Sequence, residues 1–257
     1  GHLGDIVLTT VVLPALKKVY PSVKVGFLIR PGSAMVVQSH PDIKYIHILE
    51  HWSRSRFSRN ILKKIIRYVR EKRRIVQEIN EVGYDAVIDL RAWWPNYISV
   101  IWRTKIPVKI GYTRLSFNFM LTHPVRYKYN TQHETYNYLF LLTFLSNKFK
   151  IPQDDTLYGF PLLDKVNSLT TVDQLLKSIN SMGFNNYCII HPSSSKREKD
   201  WCVSKWHDLA TILSKLGCGV VFTGNGVKDN IIISEIRKGL HNSYDLCDKI
   251  TWHEYVE

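Results

Sequence analysis

The chain has 257 residues and a mass of 30.0 kDa, a length that accommodates two domains or one large domain. Its residues are 45% hydrophobic, 12% aromatic and 22% charged, which excludes disordered, collagen-like and coiled-coil classes. Lys and Arg outnumber Asp and Glu by 35 to 22, so the net charge is +13 and an anionic partner is expected.

Short β-rich runs alternate with amphipathic helical runs, which predicts an α/β fold with parallel sheets. The predicted strands are Lys24–Ile29, Tyr45–Leu49, Asp85–Leu90, Val108–Tyr112, Tyr187–His191, Gly219–Thr223 and Ser243–Leu246. The predicted helices are Asp5–Val19, Asn60–Glu81, His133–Asn147, Val172–Ser181, Lys205–Leu216 and Val227–Leu240.

The chain opens on Gly-x-x-Gly-Asp, directly before the first predicted helix. A glycine such as Gly4 at a helix start lets a ligand approach the backbone closely. Asp5 could there act as a general base toward a substrate hydroxyl. An acidic residue in a first turn is equally explained by capping and by the helix dipole, so both interpretations stay open.

The excess positive charge is concentrated in the segment Arg54–Arg74. This segment holds ten basic residues and one acid, a local net charge of +9, against +4 for the other 236 residues. Such concentration disfavours a chain-wide nucleic-acid coat, and no DNA- or RNA-binding motif accompanies it. Three interpretations remain, namely base stacking by the interspersed aromatic residues, contact with an anionic membrane or phosphorylated glycolipid, and a plain solvated helix face.

A polar stretch with several Pro and Gly residues, Lys150–Asn186, predicts a linker between domains at residues 1–165 and 166–257. The second domain is expected to be incomplete, because it holds only two or three strands. The four cysteines form no CxxC pair, which predicts reduced thiols in a cytosolic protein. No apolar run of about 20 residues and no signal peptide is visible. The missing initiator Met indicates a fragment.

Two polar loops follow neighbouring predicted strands of the second half. The segment His191–Lys196 is rich in hydroxyl groups, which suits a diphosphate at a strand C-terminus, although an ordinary polar loop would look the same. Thr223–Gly226 repeats the arrangement one strand later, although Gly-Asn-Gly is also a common tight turn. His133-Glu134 begins like a zinc-protease helix, but Asn137 stands where the second ligand would be, so no metal site is predicted.

Taken in order, several stretches resemble glycosyltransferase family 9, the bacterial lipopolysaccharide heptosyltransferases. They are GHLGDIVLTTVVLPALKKVYP, YDAVIDLR, KIGYTR, HETYNYLFLL, CIIHPSSSKREKDWCVSKWHDLATIL and GVVFTGNG. The resemblance implies a GT-B architecture, in which two Rossmann-like domains face each other across a cleft. It places the acceptor on the N-terminal domain and the sugar nucleotide on the C-terminal one.

The resemblance also implies roles for individual residues. Asp5 would be the general base of an inverting reaction that needs neither metal nor cofactor. Ser193, Ser194 and Lys199 would hold the nucleotide phosphates, while Gly224, Asp229 and Ile250 would contact the nucleotide and its base. The implied acceptor-binding residues are Gly4, Arg54, Arg56, Arg59, Lys63 and Lys64.

Two departures from the family pattern bear on these roles. The Asp-Thr-Gly-x-x-His motif of the family is absent because the sequence stops at Glu257, so the polypeptide is expected to be poorly active unless it is a piece of a longer one. The segment Leu90–Trp94 replaces a Gln-Gly pair near the acceptor side, which bears on acceptor identity.

The resulting expectation is a cytoplasmic transferase, peripheral at the inner face of the inner membrane. It would move heptose from ADP-heptose, a nucleotide sugar, to a phosphorylated glycolipid of the lipopolysaccharide inner core. Two alternatives are a related transferase with another nucleotide sugar or acceptor, and a non-catalytic module that binds anionic ligands. No nucleic-acid partner is expected.

Overall fold

The computed structural model describes residues 3–38, 40–50, 61–91, 97–113, 118–127, 132–149, 177, 180–181, 186–194 and 197–256. The chain divides into two compact units, residues 1–164 and 165–257. Most of the predicted linker and of the predicted helix Val172–Ser181 lies outside the described ranges. The two units are described separately below.

The first predicted helix is in fact two helices, α1 (Leu3–Thr9) and α2 (Val12–Val19). In a continuous helix the Pro14 ring would clash with the Thr10 carbonyl, and Pro14 has no N–H to donate to that carbonyl, so the helix breaks here. At the break, the Thr10 hydroxyl bonds the carbonyl oxygen of Val7 at 2.7 Å, and its backbone N–H bonds the same oxygen at 3.1 Å. The first helix therefore ends at Thr9, and the second begins at Val12 with Pro14 in its first turn.

The N-terminal unit contains two parallel sheets. One sheet pairs β1 (Val25–Ile29) with β2 (Ile43–Ile48), and the other has the order β3 (Ala86–Asp89), β4 (Val108–Thr113), β5 (His123–Arg126). The sequence did not predict β5. It is a four-residue edge strand that contains a proline and has a single buried side chain, Val125, so it lacks the apolar run of an inner strand.

The remaining helices of this unit are α3 (Ala34–Val37), α4 (Ile61–Val82), α5 (Ile98–Ile101) and α6 (Glu134–Leu142). Short 3-10 turns cover Pro31–Ser33 and Asn118–Met120. His133, for which the sequence predicts no metal site, is the N-terminal cap of α6, because its ring accepts the Thr135 N–H at 3.4 Å.

The C-terminal half of α4 is tied to the sheet by a buried histidine on β2. His47 bonds the Glu78 carboxylate of α4 at 2.5 Å and the Tyr84 hydroxyl at 2.8 Å. Gly26 on β1 makes room for that hydroxyl, since a Cβ at this position would lie 1.9 Å from it. One turn before Glu78 in α4, Ile75 is buried in a cluster with Leu49 and Val100.

The C-terminal unit has one parallel sheet of order β6 (Asn186–Ile190), β7 (Cys218–Phe222), β8 (Ser243–Asp245). The helices of this unit with described bounds are α7 (Val203–Lys215), α8 (Val227–Ile236) and α9 (Trp252–Val256), and a 3-10 turn covers Arg197–Lys199. These bounds confirm the three predicted strands and two of the predicted helices to within a few residues. The core packs Phe222 of β7 against Ala210 of α7 and Ile233 of α8.

Candidate active site

Asp5 lies in the first turn of α1, directly after Gly4, and both residues are exposed. A Cβ built on Gly4 would meet no described atom within 4 Å, so packing inside the protein does not require a glycine here. The nearby Tyr138 hydroxyl is buried, and burial together with the negative charges of Glu134 and Asp5 raises its pKa. Asp5 therefore presents a carboxylate at an open helix start beside α6, while the capping interpretation of the same position also remains.

Asp89 is a buried carboxyl group at the C-terminal end of β3 that the sequence did not single out. The Arg91 backbone N–H donates to its Oδ1 at 3.1 Å, whereas its Oδ2 has no hydrogen-bond partner among the described residues. Burial raises the pKa of Asp89 to about 6, although the Arg91 N–H and charge oppose that rise. The neighbouring strand allows this side chain to fit, because a Cβ on Gly111 would lie only 3.1 Å from the Asp89 Cβ.

The structure describes only part of the predicted acceptor-binding set. Arg54, Arg56 and Arg59 lie outside the described residues, as do residues 92–94 of the segment Leu90–Trp94 that departs from the family pattern. Lys63 and Lys64 lie in the first turn of α4, the former exposed and the latter half-buried. Their role in acceptor binding stays a prediction.

In the C-terminal unit, the structure brings the predicted serine loop and the predicted glycine loop together at the carboxyl edge of the sheet. The Ser193 hydroxyl, after β6, donates to the Asp229 carboxylate at the start of α8. The other oxygen of Asp229 accepts the Asn225 N–H, after β7, at 2.9 Å. Asp229 thus uses both oxygens to join two loops, an internal role that the sequence did not indicate.

Gly224 is enclosed by the same arrangement. A Cβ at this position would lie 2.8 Å from the Asp229 Cβ and 3.1 Å from the Cys247 Sγ. Its φ is not in the left-handed region, so the need for glycine here is one of space rather than of backbone conformation. The close packing brings the loop after β7 against the start of α8 and the loop after β8.

The loop after β8 joins the other two through Asp248. Its carboxylate accepts the Gly226 N–H at 2.7 Å and a hydrogen bond from the Asn230 side chain, while its own backbone takes a left-handed φ of 57°. Ile250, predicted to pack on the nucleotide base, is half-buried and packs on the cluster of Val221 and Leu246. All three loops therefore meet at one edge, where open α/β sheets bind their ligands.

Sequence reasoning missed an ion pair beside the serine loop. Lys228, in the first turn of α8, bonds Asp200 at 2.8 Å and the Ser194 carbonyl oxygen at 3.0 Å. Asp200 also accepts the Ser194 N–H at 2.6 Å, and the hydrogen bond from Lys228 lowers the pKa of this carboxyl. The only signal in the sequence was the presence of two charged residues near the two loops, 28 positions apart.

Lys199 is an exposed cation at the end of the 3-10 turn that follows the serine loop. Among the described residues the structure gives it no ion pair, in contrast to Lys228. Within the same residues, no three His, Cys, Asp or Glu side chains are grouped so that they could hold a metal ion. Hydroxyl groups, backbone amides and lysines at this edge suit a phosphorylated ligand.

Solved structures with the same fold support this description. The glycosyl transferase family 9 protein from Veillonella parvula is 20% identical, with a TM-score of 0.76 over 99% of this chain and 69% of that chain. E. coli heptosyltransferase WaaC, solved with ADP, is 15% identical, with a TM-score of 0.70 over 96% of this chain and 72% of that chain. E. coli ADP-heptose LPS heptosyltransferase II is 16% identical, with the same TM-score over 99% and 72%.

At these identities the structural matches establish the fold, which is the α/β fold of the GT-B enzymes with parallel sheets. No curated protein matches the sequence significantly. The sequence profile of glycosyltransferase family 9 (heptosyltransferase) matches residues 72–257, which is well over half of the chain and includes all three loops of the C-terminal unit. The chain therefore belongs to glycosyltransferase family 9 and is a glycosyltransferase.

Proposed function

We propose that this protein transfers heptose from ADP-heptose to a phosphorylated acceptor of the lipopolysaccharide inner core, with inversion at the anomeric carbon. Family membership supports the reaction class, and E. coli heptosyltransferase WaaC has been solved with ADP and with ADP-2-deoxy-2-fluoro heptose. The observation that carries the proposal is the exposed Gly4–Asp5 pair at the start of α1, in a chain that has the fold of these enzymes.

In this reaction the Asp5 carboxylate takes the proton of an acceptor hydroxyl as the hydroxyl oxygen attacks the anomeric carbon of heptose. The bond from that carbon to the ADP phosphate oxygen breaks on the opposite face, and its electron pair leaves with ADP. The Lys199 ammonium offsets the negative charge that develops on the departing diphosphate. The step as proposed uses no metal ion and no cofactor.

The three hydrogen-bonded loops of the C-terminal unit are the proposed binding site for the nucleotide. Ser193 and Asp229 fix the loops after β6 and β7, which leaves Ser194, Gly224 and Ile250 at the same edge of the sheet. A diphosphate near Ser194 would lie close to the Lys228 ammonium. Nucleotide affinity is therefore expected to depend on the geometry of these loops as well as on direct contacts.

The proposed binding of the acceptor rests on the positive charge of the segment Arg54–Arg74. Arg54, Arg56, Arg59, Lys63 and Lys64 belong to the segment with a net charge of +9, which suits a phosphorylated sugar core. Because that core is attached to a lipid, the protein would work in the cytoplasm at the inner face of the inner membrane. The alternative within the same fold is a related transferase that uses another nucleotide sugar or another acceptor.

The test is Asp5→Asn in the full-length protein, with transfer followed by ADP release and ADP-heptose binding followed by calorimetry. Loss of a general base is expected to lower kcat by roughly 10²–10⁴-fold and to leave the Kd for ADP-heptose within about twofold. The matched control is Asp85→Asn, an exposed carboxylate of the same unit, which should keep normal turnover. Turnover of Asp5→Asn above about one tenth of normal would remove Asp5 from the role of base.

A panel of nucleotide sugars in the same calorimeter tests the donor separately. ADP-heptose is expected to bind more tightly than UDP- and GDP-linked sugars. Tighter binding of another nucleotide sugar would identify a different donor, and binding of all of them without any transfer would favour the non-catalytic module.

A further inference from the structure

Helix α4 presents an apolar stripe to solvent in its N-terminal half. The stripe consists of Leu62, Ile65, Ile66 and Val69, whose exposed fractions are 69%, 45%, 61% and 41%. The spacing i, i+3, i+4, i+7 places these four side chains on one face of the helix. In the C-terminal half of the same helix, Ile75 and Ile79 are buried in the core. One helix thus packs on the domain with one half and displays apolar side chains with the other.

Cations border this stripe. Lys63, Arg67 and Arg70 are exposed on the adjacent face of the same three turns. The one acid between Ile61 and Arg74 is Glu71, and it is bonded by Arg74 at 3.1 Å. The N-terminal half of α4 is therefore an amphipathic surface with a strongly positive rim.

The same face continues into a groove of about 430 Å³ in which Arg73, Val76 and Asn80 of α4 face Arg103 and Lys105. Arg73 and Val76 follow Val69 at the same helical spacing, so the groove extends the stripe along the helix. Three cations and one acid, Glu81, line this groove, so its net charge is positive and it suits anionic groups next to the apolar part of the surface.

An exposed aromatic pair lies next to the groove. The Arg103 guanidinium lies 5.2 Å from the centre of the Trp102 ring, and that ring meets the Phe119 ring edge-on at 6.1 Å. The exposed fractions of the two aromatic side chains are 44% and 72%. Aromatic rings beside cations and an apolar stripe are the composition found where proteins meet the headgroup region of a bilayer.

We propose that this surface docks the N-terminal unit on an anionic lipid bilayer. The stripe would enter the boundary between headgroups and acyl chains, while the cations of its rim and of the groove contact lipid phosphates. No described helix is long and apolar enough to cross a membrane, and this mode of binding requires none. The inference rests on the proposed function in one respect only, that the acceptor is anchored in a lipid.

Charge decides between a bilayer and a second copy of the chain as the occupant of this surface. Two copies of a helix whose residues 61–74 carry seven cations and one acid would repel each other if their stripes were paired. A bilayer with anionic headgroups satisfies the apolar and the basic parts at the same time.

The test is cosedimentation with vesicles of phosphatidylethanolamine and phosphatidylglycerol, compared with vesicles of phosphatidylcholine. The unmodified protein should bind the anionic vesicles at least about tenfold more strongly. The pair Leu62→Ser and Ile66→Ser should lower binding about tenfold or more, including binding that resists 0.5 M salt, because it removes inserted apolar area. The pair Arg67→Gln and Arg70→Gln should weaken binding mainly at low salt.

The matched control is the pair Ile212→Ser and Leu216→Ser, which changes two comparably exposed apolar residues at the end of α7. It should bind vesicles normally. Every variant should retain its circular dichroism spectrum. The Leu62 and Ile66 variant and the Ile212 and Leu216 control should also retain transfer to a delipidated, water-soluble acceptor, since these four apolar residues do not belong to the proposed site.

Three results would overturn the docking inference. They are equal binding to both kinds of vesicle, undiminished binding by the Leu62 and Ile66 variant, and a concentration-dependent dimer that this variant abolishes. Transfer to the soluble acceptor without vesicle binding would refute docking and leave the proposed function intact. Vesicle binding without transfer would refute the function and leave docking intact.

Discussion

Replacing Asp89 with Asn should stabilise the N-terminal unit at neutral pH and leave its stability nearly unchanged at about pH 4. The native pKa of Asp89 is raised by burial to about 6, and Asn keeps an oxygen that can accept the Arg91 N–H. An unfolded Asp has a pKa of about 3.9, so between these values the native protein binds a proton that the unfolded chain has released. Stability therefore falls as pH rises through this window.

The size of the effect follows from the pKa difference of about two units, which corresponds to about 3 kcal/mol at pH values above both pKa values. Burial of the carboxylate is the cause of this cost, and it outweighs the backbone N–H groups of Arg91 and Tyr97, which favour the charged form. Hydrogen exchange of the β3 and β4 amides, corrected for the intrinsic effect of pH, measures the free energy of opening in this unit alone.

The gap between Asp89→Asn and the unmodified protein should widen from near zero at about pH 4 to about 3 kcal/mol at about pH 8. Asp85→Asn, which removes an exposed carboxylate just before β3, is the control for the substitution itself. A gap that is independent of pH would show that folding does not raise the pKa of Asp89, and an Asn variant that is less stable at pH 8 would show that Asp89 is stabilised as an anion. The reasoning from burial would then be refuted.

Two further predictions concern the nucleotide side. Gly224→Ala should raise the Kd for ADP at least about tenfold, because the new Cβ would lie 2.8 Å from the Asp229 Cβ and force the tied loops apart. The control is Gly32→Ala, whose new Cβ meets no described atom within 4 Å and which should bind ADP normally. Equal affinities of the two variants for ADP would contradict the steric argument. Lys228→Met should weaken ADP binding about 3–10-fold and reduce the dependence of that binding on salt, which calorimetry at two salt concentrations would measure. The control is Lys215→Met in the last turn of α7, which should change neither the affinity for ADP nor its salt dependence.

Strands β6 and β7 of the C-terminal unit were predictable because each contains a short apolar run that ends in a loop with Ser or Gly residues, whereas β8 is only three residues long and mostly polar. Those same loops contain Ser193, Ser194 and Gly224, so the general position of the nucleotide side was predictable with them. The ion pair of Lys228 with Asp200 was not, since nothing local distinguishes either residue from an ordinary surface charge. Contacts over 28 positions are a property of the folded sheet.

In the N-terminal unit the errors have identifiable physical causes. The first helix was predicted as continuous because its apolar period runs through Thr10, although Pro14 stood in the sequence as a visible stop signal. Strand β5 was missed because an edge strand that contains Pro124 does not need an apolar run. Asp89 was overlooked because a carboxylate at the end of a strand resembles the start of a polar turn.

The ties among the three loops of the C-terminal unit have a thermodynamic consequence for ligand binding. Asp200, Asp229 and Asp248 each accept a loop N–H group, at Ser194, Asn225 and Gly226 respectively. The protein therefore bears the conformational entropy cost of ordering these segments when it folds, and a nucleotide arriving later meets loops that are already in place. Pre-organisation of this kind makes affinity depend on acidic side chains that an anionic ligand would otherwise be expected to avoid.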